Sequence, residues 1–527
     1  MSGSLAGGEQ MESPSPRRPS YGHSLGHGAS SFIANTLLAL ATSVVVARLY
    51  GVSTIGEYAL AGAPAGAVWL LSTVREQPAL MRRLTPLAPR DPLVSGLFAA
   101  VLTFSTALTA AVSLLAGLLT WVLFEGPIDH PELILPAEAM LAASLLFVNT
   151  CWNFDTLLGA FRAGRPLLLC RLHQALLYLA LAIGLSFALP TVWGLILAWY
   201  ASWASSLVQR VVSARAFMRL RVGRAVLREG FSALGELLRF GLRLTPGLLA
   251  EGVSDEAGTW ILGALAPVAA IGAYSRAWTI ARRGLELEYR ITEMLFPTLV
   301  ERRLEEDRDG FDRALVDSLR YVAVAMLLPA AVAAGAAAPI MSIYGPGFAA
   351  GAGAFAYLAF VPGIVTLSAV QSQALFADGR GLGASLYGLA RALATMLAGV
   401  LLARAYGIGG MGAAMLIGAC AQLLPLSARL PGLLHGSLAE LWRPREAVSL
   451  LGAGVVGFAV ARALSVELTG PSALAVAPTL GLLAAGLVFV VIGGVQPRDR
   501  ERARLLSRAF GAGPRVASGT RGSSGRT

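Results

Sequence analysis

The residues best able to do chemistry here are arginines and carboxylates set where few charges belong. Between Arg239 and Glu301 two long apolar stretches, joined by a short turn near 266–269, carry Glu251, Asp255, Glu256, Arg276, Arg282, Arg283, Glu286, Glu288 and Arg290. A charge at mid-membrane costs about 2.5–3.5 kcal/mol on insertion scales, so such side chains face protein or water rather than lipid. Counted from the turn at ~1.5 Å per residue, Asp255 lies ~15 Å deep and Arg276 ~12 Å, while Glu251 and Arg282 both lie ~21 Å deep. Opposite charges at matching levels leave two readings. They are structural pairs that let the hairpin insert, or the wall of a cavity in which arginine holds an anion and Glu251 or Asp255 couples to protons or ions. Arg391 sits mid-span with no carboxylate near it in its own helix, which favours water or an anion as its neighbour. Arg48, at the end of the first span, can snorkel to the interface. Asp155, near the end of the fourth, can pair with Arg162 or bind a coupling ion. Pro246 and Gly247 kink the start of the seventh span, as a gate or as a static bend.

Other chemistries find little support. Cys151, Cys170 and Cys420 give neither a disulfide framework nor a zinc spacing, and the five histidines are scattered. There is no Walker sequence. The longest outside loop, EGPIDHPELILP, offers Asp129, His130 and Glu132, which read as a solvated turn. No catalytic residue, metal or cofactor is therefore expected, and the chain does not read as an enzyme. The net charge is +11 and every basic residue is arginine. Their placement points to an anionic membrane leaflet rather than nucleic acid.

The elements that carry these residues are membrane helices. The chain has 527 residues, 55% hydrophobic and 14% charged, with a mean hydropathy of +0.65. A soluble domain carries about 25% charge. Apolar runs near the length that crosses a bilayer recur throughout. The expected fold is an all-α polytopic membrane protein of fourteen transmembrane helices. Leu93–Phe124 reads as one long helix, because splitting it would move Arg162, Arg165 and Arg171 to the arginine-poor side. Both termini are then cytoplasmic. The expected organisation is a disordered tail (1–29), a six-helix lobe (30–215), a basic amphipathic cytoplasmic linker (216–238), a second six-helix lobe (239–430), helices thirteen and fourteen (446–495) and a disordered arginine-rich tail (496–527).

An internal repeat supports the two lobes. Residues 52–61, VSTIGEYALA, and 268–277, VAAIGAYSRA, share the pattern V-x-x-I-G-x-Y-x-x-A. FRAGR at 161–165 and FADGR at 376–380 match at nearly the same offset. A six-helix unit is even, so both copies run the same way through the membrane. Such parallel repeats bind substrate between the halves and rock around it.

ARLYGVSTIGEYALA, LLRFGLRLTPGLLAEGVSDEAGTWILGALAPVAAIGAYSRA, IMSIYGPGFAAGAGAFAYLAF, FADGR and YGIGGMGAAMLIG resemble segments of bacterial O-antigen/polysaccharide flippases. These belong to the multidrug/oligosaccharidyl-lipid/polysaccharide exporter superfamily, and the resemblance covers about residues 30–495. It implies a V-shaped, two-lobed transporter of the bacterial cytoplasmic membrane. Its substrate would be an undecaprenyl-pyrophosphate-linked oligosaccharide carried between leaflets, with H+ or Na+ as coupling ion and polysaccharide polymerase or ligase machinery as partners. It also implies a cationic cavity, with Arg48, Arg276 and Arg391, then Arg282 and Arg283, on the pyrophosphate or acidic sugars. The acids of the hairpin depart from that pattern and keep open a drug or cation antiporter of the same superfamily. A membrane glycosyltransferase or polymerase would need a large soluble loop that this chain lacks.

Overall fold

In a computed structural model the chain is helical, with no strand among the described residues. The structure describes residues 21–496 apart from 74–75, 220–222, 243–244, 380, 435, 437–442 and 469, together with residue 499. Nine of the described helical stretches are long and apolar enough to cross a membrane. The expected tails at 1–20 and 500–527 lie outside the described residues. Residues 21–29, expected to be tail, are instead the start of the first helix.

That helix, α1 (Tyr21–Leu71), bends at Gly51, where φ is +78°, a conformation that favours glycine. After the short α2 (Glu76–Leu84), α3 (Pro92–Glu125) runs unbroken for 34 residues. Asp91 caps it by accepting from the Leu93 N–H at 2.9 Å, with Pro92 in the first turn. α4 (Ile134–Ala143) passes through a π turn into α5 (Asn149–Ala160), and α6 (Gly164–Ala188) and α7 (Val192–Ala214) complete the first half. The linker helix α8 (Arg224–Leu242) packs on α2 and α3 and runs past the expected boundary at 238.

The second half begins with α9 (Thr245–Leu265) and α10 (Val268–Ala281), which meet at the expected turn. The far arm of this hairpin is not one long helix. A 3-10 turn at Arg282–Gly284 breaks it before α11 (Leu285–Leu304). There the backbone comes so close to Pro362 that a Cβ on Gly284 would stand 2.7 Å from that ring. Next come α12 (Arg308–Val322), α13 (Leu328–Gly335), α14 (Ala337–Ser342), α15 (Ala352–Leu358) and α16 (Val361–Ala377). Asp307 caps α12 through the Gly310 N–H at 2.9 Å, which holds its carboxyl below the usual carboxylate range. α17 (Gly381–Arg429) bends at Gly407, and α18 (Pro444–Glu467) and α19 (Gly470–Ile492) pack on each other and on α13.

The apolar core is divided unequally between the two ends of the molecule. At the end holding the turns near 51, 128, 190, 266 and 345, one cluster draws on both halves, joining Val46, Tyr50 and Phe124 to Tyr274, Tyr344 and Met411. At the arginine-rich end the halves keep separate clusters. One is built on Leu80, Leu97 and Phe154, the other on Leu299, Phe311 and Leu319. The halves are thus joined at one end and packed independently at the other.

The joint is made by the repeat itself. A methyl on Gly56 would run into the Val268 carbonyl, and one on Gly272 into the Val52 carbonyl. Each motif glycine meets the first valine of the other copy. Reciprocity of this kind is what a two-fold relation between like surfaces produces.

Candidate functional site

Among the charged side chains inside the described helical stretches, three groups stand out. The first lies where the halves join. Arg276, on the third turn of α10, donates Nη1–H to Ser43 Oγ on α1 at 2.9 Å. Ser43 Oγ in turn lies 3.4 Å from the Tyr344 hydroxyl. Tyr58 and Tyr178 stand close by. Arg276 Nε is buried without a partner. Arg48 Nε donates to the Ile343 carbonyl at 2.7 Å, again from one half to the other. Both arginines therefore hold contacts that would break if the halves parted.

The second group corrects the expected pairing. Arg391 is not left for water or an anion. Its Nη2–H donates to Asp255 Oδ1 at 2.8 Å, and the arginine is only 3% exposed. Asp255 therefore turns sideways to α17 and does not meet Arg276. Depth along a hairpin sets the level of a side chain but not its direction around the helix, and α9 lies closely along α17. Glu256, one residue on, faces a different way. With Trp260, Ile261 and Met396 it lines a cavity of about 180 Å³, against Ala67 and Leu71 of α1. Arg282 is exposed in the 3-10 turn. Arg283 pairs with Glu286 at 2.5 Å, while its Nε is buried without a partner. The side chains at Glu251, Pro246 and Gly247 lie outside the described residues.

The third group goes beyond the sequence expectations. Arg210 of α7, 2% exposed, grips Asp155 through Nε–Oδ1 at 2.6 Å and Nη2–Oδ2 at 3.4 Å, and also reaches Ser206. Arg171 adds a contact to Asp155 at 3.3 Å. The expected partner, Arg162, is exposed with φ 55°. Arg210 reads in the sequence as the first residue of a basic loop. The signal that could have placed it inward is the stripe Ser202, Ser206, Arg210, spaced four apart on one helix face. A similar knot holds the last helices. Arg320 of α12 contacts Glu446 at 2.6 Å and Asp317 and Asp499 at 3.2 Å, and Tyr321 donates to Asp499 at 2.8 Å. Gln496 donates to Glu446 Oε1, so residues 496 and 499 are docked rather than part of a free tail.

A profile for the family described as polysaccharide biosynthesis protein matches residues 45–346. The chain belongs to that family. No curated protein sequence matches it. Among solved structures, the chain is similar to one described as lipid II flippase MurJ in an inward closed conformation. The TM-score is 0.64 at 10% identity, over 92% of this chain and 99% of that one. An inward-facing multidrug resistance MATE family transporter of the MOP superfamily gives 0.53 at 15% identity, over 76% and 95%. The MATE multidrug transporter DinF-BH gives 0.53 at 14%, over 80% and 98%. At these identities the likeness is one of fold. Family and fold meet the expectation of a polysaccharide-exporter relative, and the chain is a multi-pass membrane protein with the transporter fold.

Proposed function

We infer that this protein flips a lipid-linked oligosaccharide by alternating access. The substrate would be an undecaprenyl-pyrophosphate-linked repeat unit, moved from the inner to the outer leaflet of the bacterial cytoplasmic membrane. The arginine-rich end, with α2 and α8, is cytoplasmic in this reading, as are both termini. The observation that carries it is the unequal core, shared at the turn end through the repeat motif and separate at the arginine-rich end. Halves joined at one end only can open toward one leaflet and then the other. The nine apolar stretches, two of them bent at a glycine, with α7, α9 and the α10–α11 arm, would account for fourteen crossings.

Arg276 is the residue best placed to meet the pyrophosphate. It sits at the joint, holds only a neutral hydroxyl across it, and has a buried donor to spare. A guanidinium fork there gives a phosphate the hydrogen bonds it loses on leaving water. Arg48 is next, for the same inter-half position. Arg282, exposed in the break, would meet the head group on arrival. Glu251 and Asp255 remain candidates for coupling to H+ or Na+.

Deletion of the gene tests the reading. Lipid-linked sugar should accumulate on the cytoplasmic face. Rescue by Arg276→Ala should fall about tenfold or more, the loss of one charge-assisted phosphate contact. No lipid intermediate, together with new sensitivity to cationic drugs, would favour an antiporter instead.

A further inference from the structure

A cavity at the arginine-rich end lies away from the joint between the halves. It measures about 770 Å³ and is a half-open cleft lined by α2, the start of α3 and the linker helix α8. Its floor is apolar, formed by Ala79, Leu93, Leu97 and Leu237, of which all but Leu93 are buried. Its rim carries Arg82 and Arg83 from the last turn of α2 and Arg239 from the last turn of α8. Arg83 is held by Glu236 at 2.9 Å, an exposed pair that water weakens. Arg239 makes no ion pair among the described residues.

We propose that this cavity binds the phosphate head group and upper acyl chain of an anionic membrane phospholipid. Three observations select that ligand. The rim holds three guanidinium groups against two carboxylates, Glu229 and Glu236, so it favours an anion. The floor offers a hydrocarbon surface that a soluble anion would not use. Two large apolar side chains, Met81 on α2 (40% exposed) and Phe231 on α8 (45% exposed), stand on the same two helices, as residues that dip into a bilayer do. The volume suits a head group with part of its chain, within the usual range of about 300–1,000 Å³ for ligand sites. The transport substrate fits less well, because the cavity lies on the flank of the first half and not between the halves. α8 joins the two halves, so a lipid held here pins the connecting segment to α2 and α3. The lipid would therefore modulate how freely the halves move.

The test uses the full-length protein in neutral detergent, titrated with phosphatidylglycerol, phosphatidylcholine or inorganic phosphate, and bound lipid is read by native mass spectrometry. Phosphatidylglycerol should bind at least tenfold tighter than phosphatidylcholine. Arg82→Gln with Arg239→Gln should weaken it by about tenfold or more. Ser232→Trp, which keeps every charge and fills the cavity, should weaken it as much. Equal binding of the two lipids, or full binding by Ser232→Trp, would overturn the proposal. Displacement of phosphatidylglycerol by an equal concentration of inorganic phosphate would do so as well, since the floor would then contribute nothing. If the double arginine variant does not fold, Ser232→Trp and Arg239→Gln alone still decide. None of these outcomes depends on what the protein transports.

Discussion

Arg391 and Arg276 look alike in the sequence, each an arginine inside an apolar helix, yet the structure gives them different partners. Arg391 is buried against a carboxylate, and Arg276 donates to the Ser43 hydroxyl. Removing one member of a buried ion pair strands the other, at a cost of about 3–5 kcal/mol, while removing both costs far less. Arg391→Ala should therefore lower the melting temperature in detergent sharply, and adding Asp255→Asn should restore most of it. Arg276→Ala should leave melting nearly unchanged. Equal melting of Arg391→Ala and the parent protein would mean the pair is not formed. At this scale the sequence reveals which charges are unusual and how deep they lie. It cannot show which way they point, because the partner of Asp255 comes from a helix 136 residues away. Arg210 escapes a sequence reading for a related reason, since a residue at a helix end reads as loop until its neighbours fix the face.

At the scale of elements, the motif in α1 and α10 is legible as a repeat, and its turns fall where expected. Nothing in either copy announces that the two touch. Close approach of backbone to glycine leaves no mark in one segment alone. The contact is demanding, because any side chain at Gly272 meets the Val52 carbonyl. Overpacking costs about 1–3 kcal/mol, enough to shift an open–closed balance about fivefold or more. Gly272→Val should therefore open the joint. In a variant with Cys151, Cys170 and Cys420 replaced by serine, a cysteine substituted at the buried Ala47 (0% exposed) is the reporter. Its labelling by an impermeant maleimide from outside should rise with Gly272→Val, and unchanged labelling would show that the glycine contact does not hold the joint. The 3-10 break at Arg282–Gly284 is less legible. It coincides with the close approach of Pro362 on α16 to Gly284, a tertiary contact that local propensity cannot encode.

For the whole molecule, helical class, membrane residence and the internal repeat are readable from composition and periodicity alone. Attachment of the last two helices is not. It combines packing on α13 with Arg320, whose acidic partners are spread from Asp317 to Asp499. The reciprocal meeting of Gly56 with Val268 and of Gly272 with Val52 has a last consequence. Each half carries the docking surface for its counterpart, so continuity of the polypeptide is a convenience rather than a requirement. Two separately translated pieces, cut within residues 220–222 and made in the same cell, should find one another in the bilayer and co-purify. Failure of two individually stable pieces to associate would mean that the tether, not the surface, keeps the pseudo-dimer together.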